Sequence, residues 1–125
     1  MSKNNLKVKR YINQADKYIK EAEKELSENN LLQASEKYWG GAAQMVKAWA
    51  ESLEMRHNGH AWLFEGASKL SLQENDPLIK KQFLIASALH TNFYEGWLTK
   101  DEIETGALEI KAFCDKIKQI IGRER

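Results

Sequence analysis

From Leu6 to Ser27 the apolar positions Val8, Tyr11, Ile12, Ala15, Tyr18, Ile19, Ala22 and Leu26 return every three or four residues, with Lys and Glu between them. This is the helical period, and a single apolar stripe on a charged background predicts an outer helix with one buried face. Glu28-Asn29-Asn30 interrupts the stripe, and an asparagine there is suited to cap a second helix running from Leu31 to about Met55. The middle of that segment, YWGGAAQMVKAWA, is apolar nearly all round, so the second helix is expected to lie centrally. Its Gly40-Gly41-Ala42-Ala43 run lets a neighbouring helix, or a second copy of the chain, approach closely.

A third, shorter helix is expected from Gly59 or His60, carrying Trp62, Leu63, Phe64, Ala67 and Leu70 and fading at Gln73-Glu74-Asn75. Asp76-Pro77 opens a fourth, since Asp accepts from free amides of the first turn while proline there has no amide in need of a partner. Its apolar positions Leu78, Ile79, Phe83, Leu84, Ala86, Leu89 and Phe93 keep helical spacing up to Gly96-Trp97. Thr99 with Glu102 reads as a capping box for a fifth helix, whose Ile103, Ala107, Ile110, Phe113, Cys114, Ile117, Ile120 and Ile121 form a stripe ending before Gly122. No segment alternates with period two. The predicted fold is therefore all-α, a five-helix antiparallel up-and-down bundle in one domain spanning residues 1–125.

If each short connection turns the next helix back beside the last, the end of the second helix meets the end of the fourth. Arg56, His57 and His60 then share a pole with the stretch ALHTNFYEGWL, which supplies His90, Asn92, Tyr94, Glu95 and Trp97. All three histidines of the chain are expected there.

Composition narrows the partners only a little. Lys and Arg number 19 against 18 Asp and Glu, so almost no net field exists to attract DNA or anionic lipid. The single cysteine, Cys114, excludes an internal disulfide and sits beside Phe113 and Ile117, which suggests a buried thiol in a reducing compartment, the cytoplasm by default. No uncharged apolar run approaches the ~18 residues of a membrane span, so no membrane partner is expected. No Cys-x-x-Cys pair, His-Glu-x-x-His run or glycine-rich phosphate loop is present, and neither a metal nor a cofactor is expected. Trp39, Trp49, Trp62, Phe64 and Phe93 read as core, whereas Tyr94 and Trp97 fall near a helix end, where an aromatic ring can meet a ligand.

The stretch EMRHNGHAWLFEG, residues 54–66, concentrates groups that titrate or bind phosphate. Its structural reading is a helix-terminating turn, with cationic groups near the carbonyl end of the second helix and Asn58 or Gly59 in the left-handed conformation. Its functional reading is a site.

The runs ASEKYWGGAAQMVKAWAE, HAWLFEGASKL and ALHTNFYEGW together resemble the archaeal PaREP family of small helical proteins, over roughly residues 14–121 and most specifically in NFYEGW. That family in turn resembles the HEPN superfamily. The resemblance implies a four-helix up-and-down core plus a short helix, often as a homodimer, in a superfamily where many members are metal-independent ribonucleases of toxin–antitoxin or defence systems and others bind nucleotides or partner proteins. The nuclease members carry an arginine and a histidine with four to six residues between them, while three separate Arg56 from His60. Carried over, the resemblance makes His60 the general acid or base and Arg56 the phosphate clamp, with His57, Asn92 or Tyr94 in support. RNA would supply its own nucleophile, the 2′-hydroxyl, so an imidazole and a guanidinium suffice for the proton transfer and the phosphate charge. The expectation is a module that binds RNA, a nucleotide or a cognate protein through a groove. Endoribonuclease activity through Arg56 and His60, or a purely structural interaction role, stands as the alternative.

Overall fold

The computed structural model describes residues 5–55 and 59–123, and it contains five helices: α1 Asn5–Ser27, α2 Leu31–Ser52, α3 Gly59–Gln73, α4 Pro77–Glu95 and α5 Lys100–Arg123. No strand occurs among the described residues, and the fold is all-α. None of these helices is long and apolar enough to cross a membrane.

Most helix ends fall where local chemistry places them. The Asp76 side chain accepts from the Leu78 amide with Pro77 following, and Thr99 and Glu102 exchange side-chain-to-amide bonds of 2.9 and 3.2 Å. Asn30 occupies the position before α2, but its side chain makes no capping bond. The α2 helix also stops three residues before the expected Met55. Glu54 takes a left-handed φ of 57°, its amide returns to the Glu51 carbonyl, and the Met55 amide closes on Ala50. The same pair of reversed bonds ends α1 around Asn29 and α3 around Asn75. Asparagine tolerates that conformation. A glutamate gives no such signal in a sequence, which is why the end of α2 was not legible.

The core is centred on α2, which touches all four other helices, as its apolar circumference requires. Ion pairs Lys37–Glu21 and Lys7–Glu51 set α1 antiparallel to α2, and a Cβ on Gly41 would lie 2.6 Å from Ile19 Cδ1. The close approach permitted by the glycine pair is thus taken up by α1. Lys111–Glu23 and Lys118–Asp16 set α5 antiparallel to α1, while Gln82–Glu109 and Lys116–Asp76 set it antiparallel to α4. Asn92 meets Ser35 and His90 meets Glu36, so α4 runs antiparallel to α2. These four helices form an up-and-down core around Tyr38, Met45, Trp49, Leu70 of the added helix α3, Phe83, Ile110 and Phe113, all fully buried.

The short helix α3 departs from the alternation. His60 lies against Trp39, and a Cβ on Gly66 would lie 3.2 Å from Val46 Cγ1, so positions ascend together along α3 and α2. The two run parallel, and α3 begins beside the middle of α2 instead of returning from its end. This corrects the pole assignment. The end of α4 meets the first half of α2, through Glu36 and Trp39, not the end of α2.

Candidate functional site

His60 and His90 nevertheless converge, because reversing α3 brings its first turn to the end of α4 by another route. Their ring centroids are 5.0 Å apart. Both also rest on Trp39, at 5.4 Å for His60 and 5.0 Å for His90, the latter nearly parallel at 27°. Beneath them Phe83 touches Trp39, Phe64 and Phe113, so the imidazoles cap an aromatic column that descends into the core. His60 is exposed, and His90 is three-quarters covered.

His90 is held by a specific partner. Its Nδ1 lies 2.8 Å from Glu36 Oε1. An ionised carboxylate can only accept, so Nδ1 carries the proton and Nε2 keeps a free lone pair in the neutral ring. His60 has no hydrogen bond or ion pair among the described residues.

A cleft of about 390 Å³ opens beside this cluster between α1, α2 and α3. Trp39, Gly40 and Leu63 form its apolar side, while Glu36, Gln44, Lys47 and His60 bring polar groups to it. Tyr18 closes another wall, with the Lys37 ammonium 5.1 Å from its ring centre. Lys37 is bonded to Glu21 at 2.7 Å, which raises its pKa and lowers that of the carboxyl. Lys47 has no acidic partner among the described residues and is the cation left to meet an anion. Glu36, Trp39, Gly40, Ala43 and Lys47 share one face of α2 by helical spacing, although without the position of α3 that face reads as core.

The remaining expected residues divide. Arg56 and His57 lie outside the described residues. Tyr94 is 70 % exposed, its ring perpendicular to that of His90 with centroids 5.5 Å apart, and Trp97 is 65 % exposed at the turn into α5. Glu95 is exposed beside them. Asn92, expected among the binding groups, is buried and belongs to the fold: its Nδ2 donates to Ser35 Oγ, and its Oδ1 accepts from the Trp97 and Leu98 amides, both at 2.8 Å. Sequence reading missed Glu36 and Lys47 and took Trp39 for core alone. Trp39 is core, at 7 % exposure, yet its ring contacts both imidazoles. Among the described residues no three His, Cys, Asp or Glu side chains are grouped to hold a metal ion.

Residues 10–114 match the Archaeal PaREP1/PaREP8 family. No curated protein and no solved structure matches the chain.

Proposed function

The chain belongs to the archaeal PaREP1/PaREP8 family, and from that premise we propose that it is an HEPN-like helical module that binds RNA through the cleft beside Trp39. The carrying observation is the meeting of two imidazoles against one indole, His90 stacked on it and His60 tilted beside it, at a cleft that also holds Lys47, which has no acidic partner among the described residues. A nucleotide unit needs an apolar wall for its base or sugar and a cation for its phosphate, and the cleft offers both within one helical turn or two of α2. Tyr94, exposed and edge-on to His90, extends the aromatic surface outward for a neighbouring base. In this reading the protein acts in the cytoplasm as a homodimer, alone or with a cognate protein partner, in a toxin–antitoxin or defence setting.

Fluorescence anisotropy with a labelled single-stranded RNA in EDTA tests it. Saturable binding is expected at low salt, weakening by about tenfold in Lys47→Glu, which corresponds to roughly 1.4 kcal/mol. Absence of any association at low salt sinks the proposal.

Metal-independent cleavage of the bound RNA is a second reading, favoured by one specific observation: an exposed imidazole stands beside a second one held by a carboxylate.

A further inference from the structure

Tyr38 and Trp39 are neighbours on α2 but line different cavities. Trp39 borders the cleft shared with α3, whereas Tyr38 lies at a second cavity of about 380 Å³ between α1, α2 and α5. Leu26 and Leu108 give this slot apolar walls, and Leu108 is 70 % exposed. Two polar bonds cross from α5 to the α1 side: Lys111 donates to Glu23 Oε2 at 2.6 Å and Lys100 to Asn29 Oδ1 at 2.8 Å. Since α1 and α5 run antiparallel, these bonds stand at the two ends of the slot, about 16 Å apart along α5 at 1.5 Å per residue.

Between the two bonds, two polar groups are left over. Tyr38 is only 2 % exposed, and its hydroxyl makes no hydrogen bond among the described residues. Its ionisation is opposed first by burial and then by Glu23 and Glu104, the two carboxylates of the slot, so the hydroxyl lies on the slot side of the ring. Glu104, exposed on α5, likewise has no hydrogen bond or ion pair among the described residues. A buried polar group without a partner is the exception in a folded core and calls for an explanation. A carboxylate only accepts, a phenol oxygen has lone pairs to offer, and both ammonium groups of the slot are already bonded to oxygens. The missing partner is therefore a donor with positive charge, and the apolar walls ask for a hydrocarbon stem behind it.

We propose that this slot binds an organic cation, an alkylguanidinium or alkylammonium group, with its head between the Tyr38 hydroxyl and the Glu104 carboxylate and its stem on Leu26 and Leu108. The site is separate from the cleft beside Trp39 and does not depend on the RNA reading. Such a head is carried by a free amine or guanidine and also by an arginine of another protein chain, and the test separates the two.

The experiment follows amide chemical shifts of the isotope-labelled full chain on titration with three probes: n-butylguanidinium, its uncharged isostere n-butylurea, and N-acetyl-arginine methylamide. Saturable shifts with n-butylguanidinium are expected in residues 23–27 and 100–111, with n-butylurea at least about tenfold weaker. Glu104→Gln and Tyr38→Phe should each weaken binding by about three- to tenfold. Tyr38→Phe removes an unpartnered hydroxyl without emptying the core, so its melting temperature should not fall, which separates loss of binding from loss of fold. Should that variant fail to fold, Glu104→Gln at its exposed position carries the decision. Tighter binding of the blocked arginine than of n-butylguanidinium supports the site with a protein arginine as its occupant, and weaker binding supports it with a free cation. No saturable shift, equal affinity for n-butylurea, or unchanged affinity in both variants overturns the inference.

Discussion

Asn92 shows how a single buried amide can fix the geometry of a site without touching its ligand. Its Oδ1 collects the Trp97 and Leu98 amides left over where α4 ends, and Nδ2 reaches Ser35 Oγ, which itself donates to the Leu31 carbonyl. Gly96, at a left-handed φ of 64°, makes the turn that presents those amides. The start of α2 and the end of α4 are thereby pinned together one residue from Glu36 and two from His90. Replacing Asn92 by Ala leaves two part-buried amides without an acceptor and removes a buried bond to Ser35, at about 1–3 kcal/mol. The expected outcome is a lower urea midpoint with an unchanged slope, together with weaker RNA binding, although no Asn92 atom would face RNA. An unchanged midpoint would show that the end of α4 is held by other contacts. The notion that Asn92 binds a ligand came from its position in NFYEGW. Sequence could not separate a polar side chain that closes a helix from one that meets a substrate, because the partner, Ser35, is 57 positions away.

At the scale of elements, helix starts were legible where a cap and a stripe agreed, as at Asp76-Pro77 and at Thr99 with Glu102. The packing partner of Gly40-Gly41 was not. A glycine pair announces a close approach without saying what approaches, and α1 and a second subunit were equally compatible with it. The structure gives the place to α1, whose Tyr18 and Ile19 fill the groove, and that contact also shapes one wall of the cleft. A larger side chain at Gly41 must push Ile19, and the Ala15 carbonyl 3.4 Å behind it cannot give way. Gly41→Leu is therefore expected to destabilise by about 1–3 kcal/mol and to loosen α1 first. Gly122→Ala, where nothing lies within 4 Å, is the control and should be neutral or slightly stabilising. Circular-dichroism melting of the two variants decides this, and equal melting temperatures would mean that α1 does not rely on the glycine groove.

For the whole molecule, the order and number of helices followed from periodicity, while the direction of α3 did not, since periodicity tells which face is buried and not which way a short helix is entered. The convergence of His60 and His90 was thus reached from a wrong pole assignment, and Glu36 and Lys47, which complete the cleft, became visible only with α3 in place. The core that holds these parts also sets a limit on the alkaline side. Burial pushes the Cys114 thiol up to about 12 from 9.0 and the Tyr38 phenol up to about 12 from 10.0. Between those values the unfolded chain has released protons that the folded chain still binds, so stability is complete below about pH 9 and falls as pH rises toward 12. Lys37 and Lys111, raised by bonds to Glu21 and Glu23, act in the same direction as pH rises past the ordinary lysine value of 10.5. Each proton held on the buried Cys114 or Tyr38 contributes a slope of about 1.4 kcal/mol per pH unit. Urea unfolding from pH 8 to 11 should show this decline, and Cys114→Ala should reduce its slope by about one proton even if the cavity it leaves lowers stability at every pH. Native protein at pH 8 should also resist a thiol reagent that labels Cys114 once urea unfolds the chain. Equal alkaline slopes with and without the thiol, together with rapid labelling of the native state, would place Cys114 in contact with water and contradict the packing of α5 against α1.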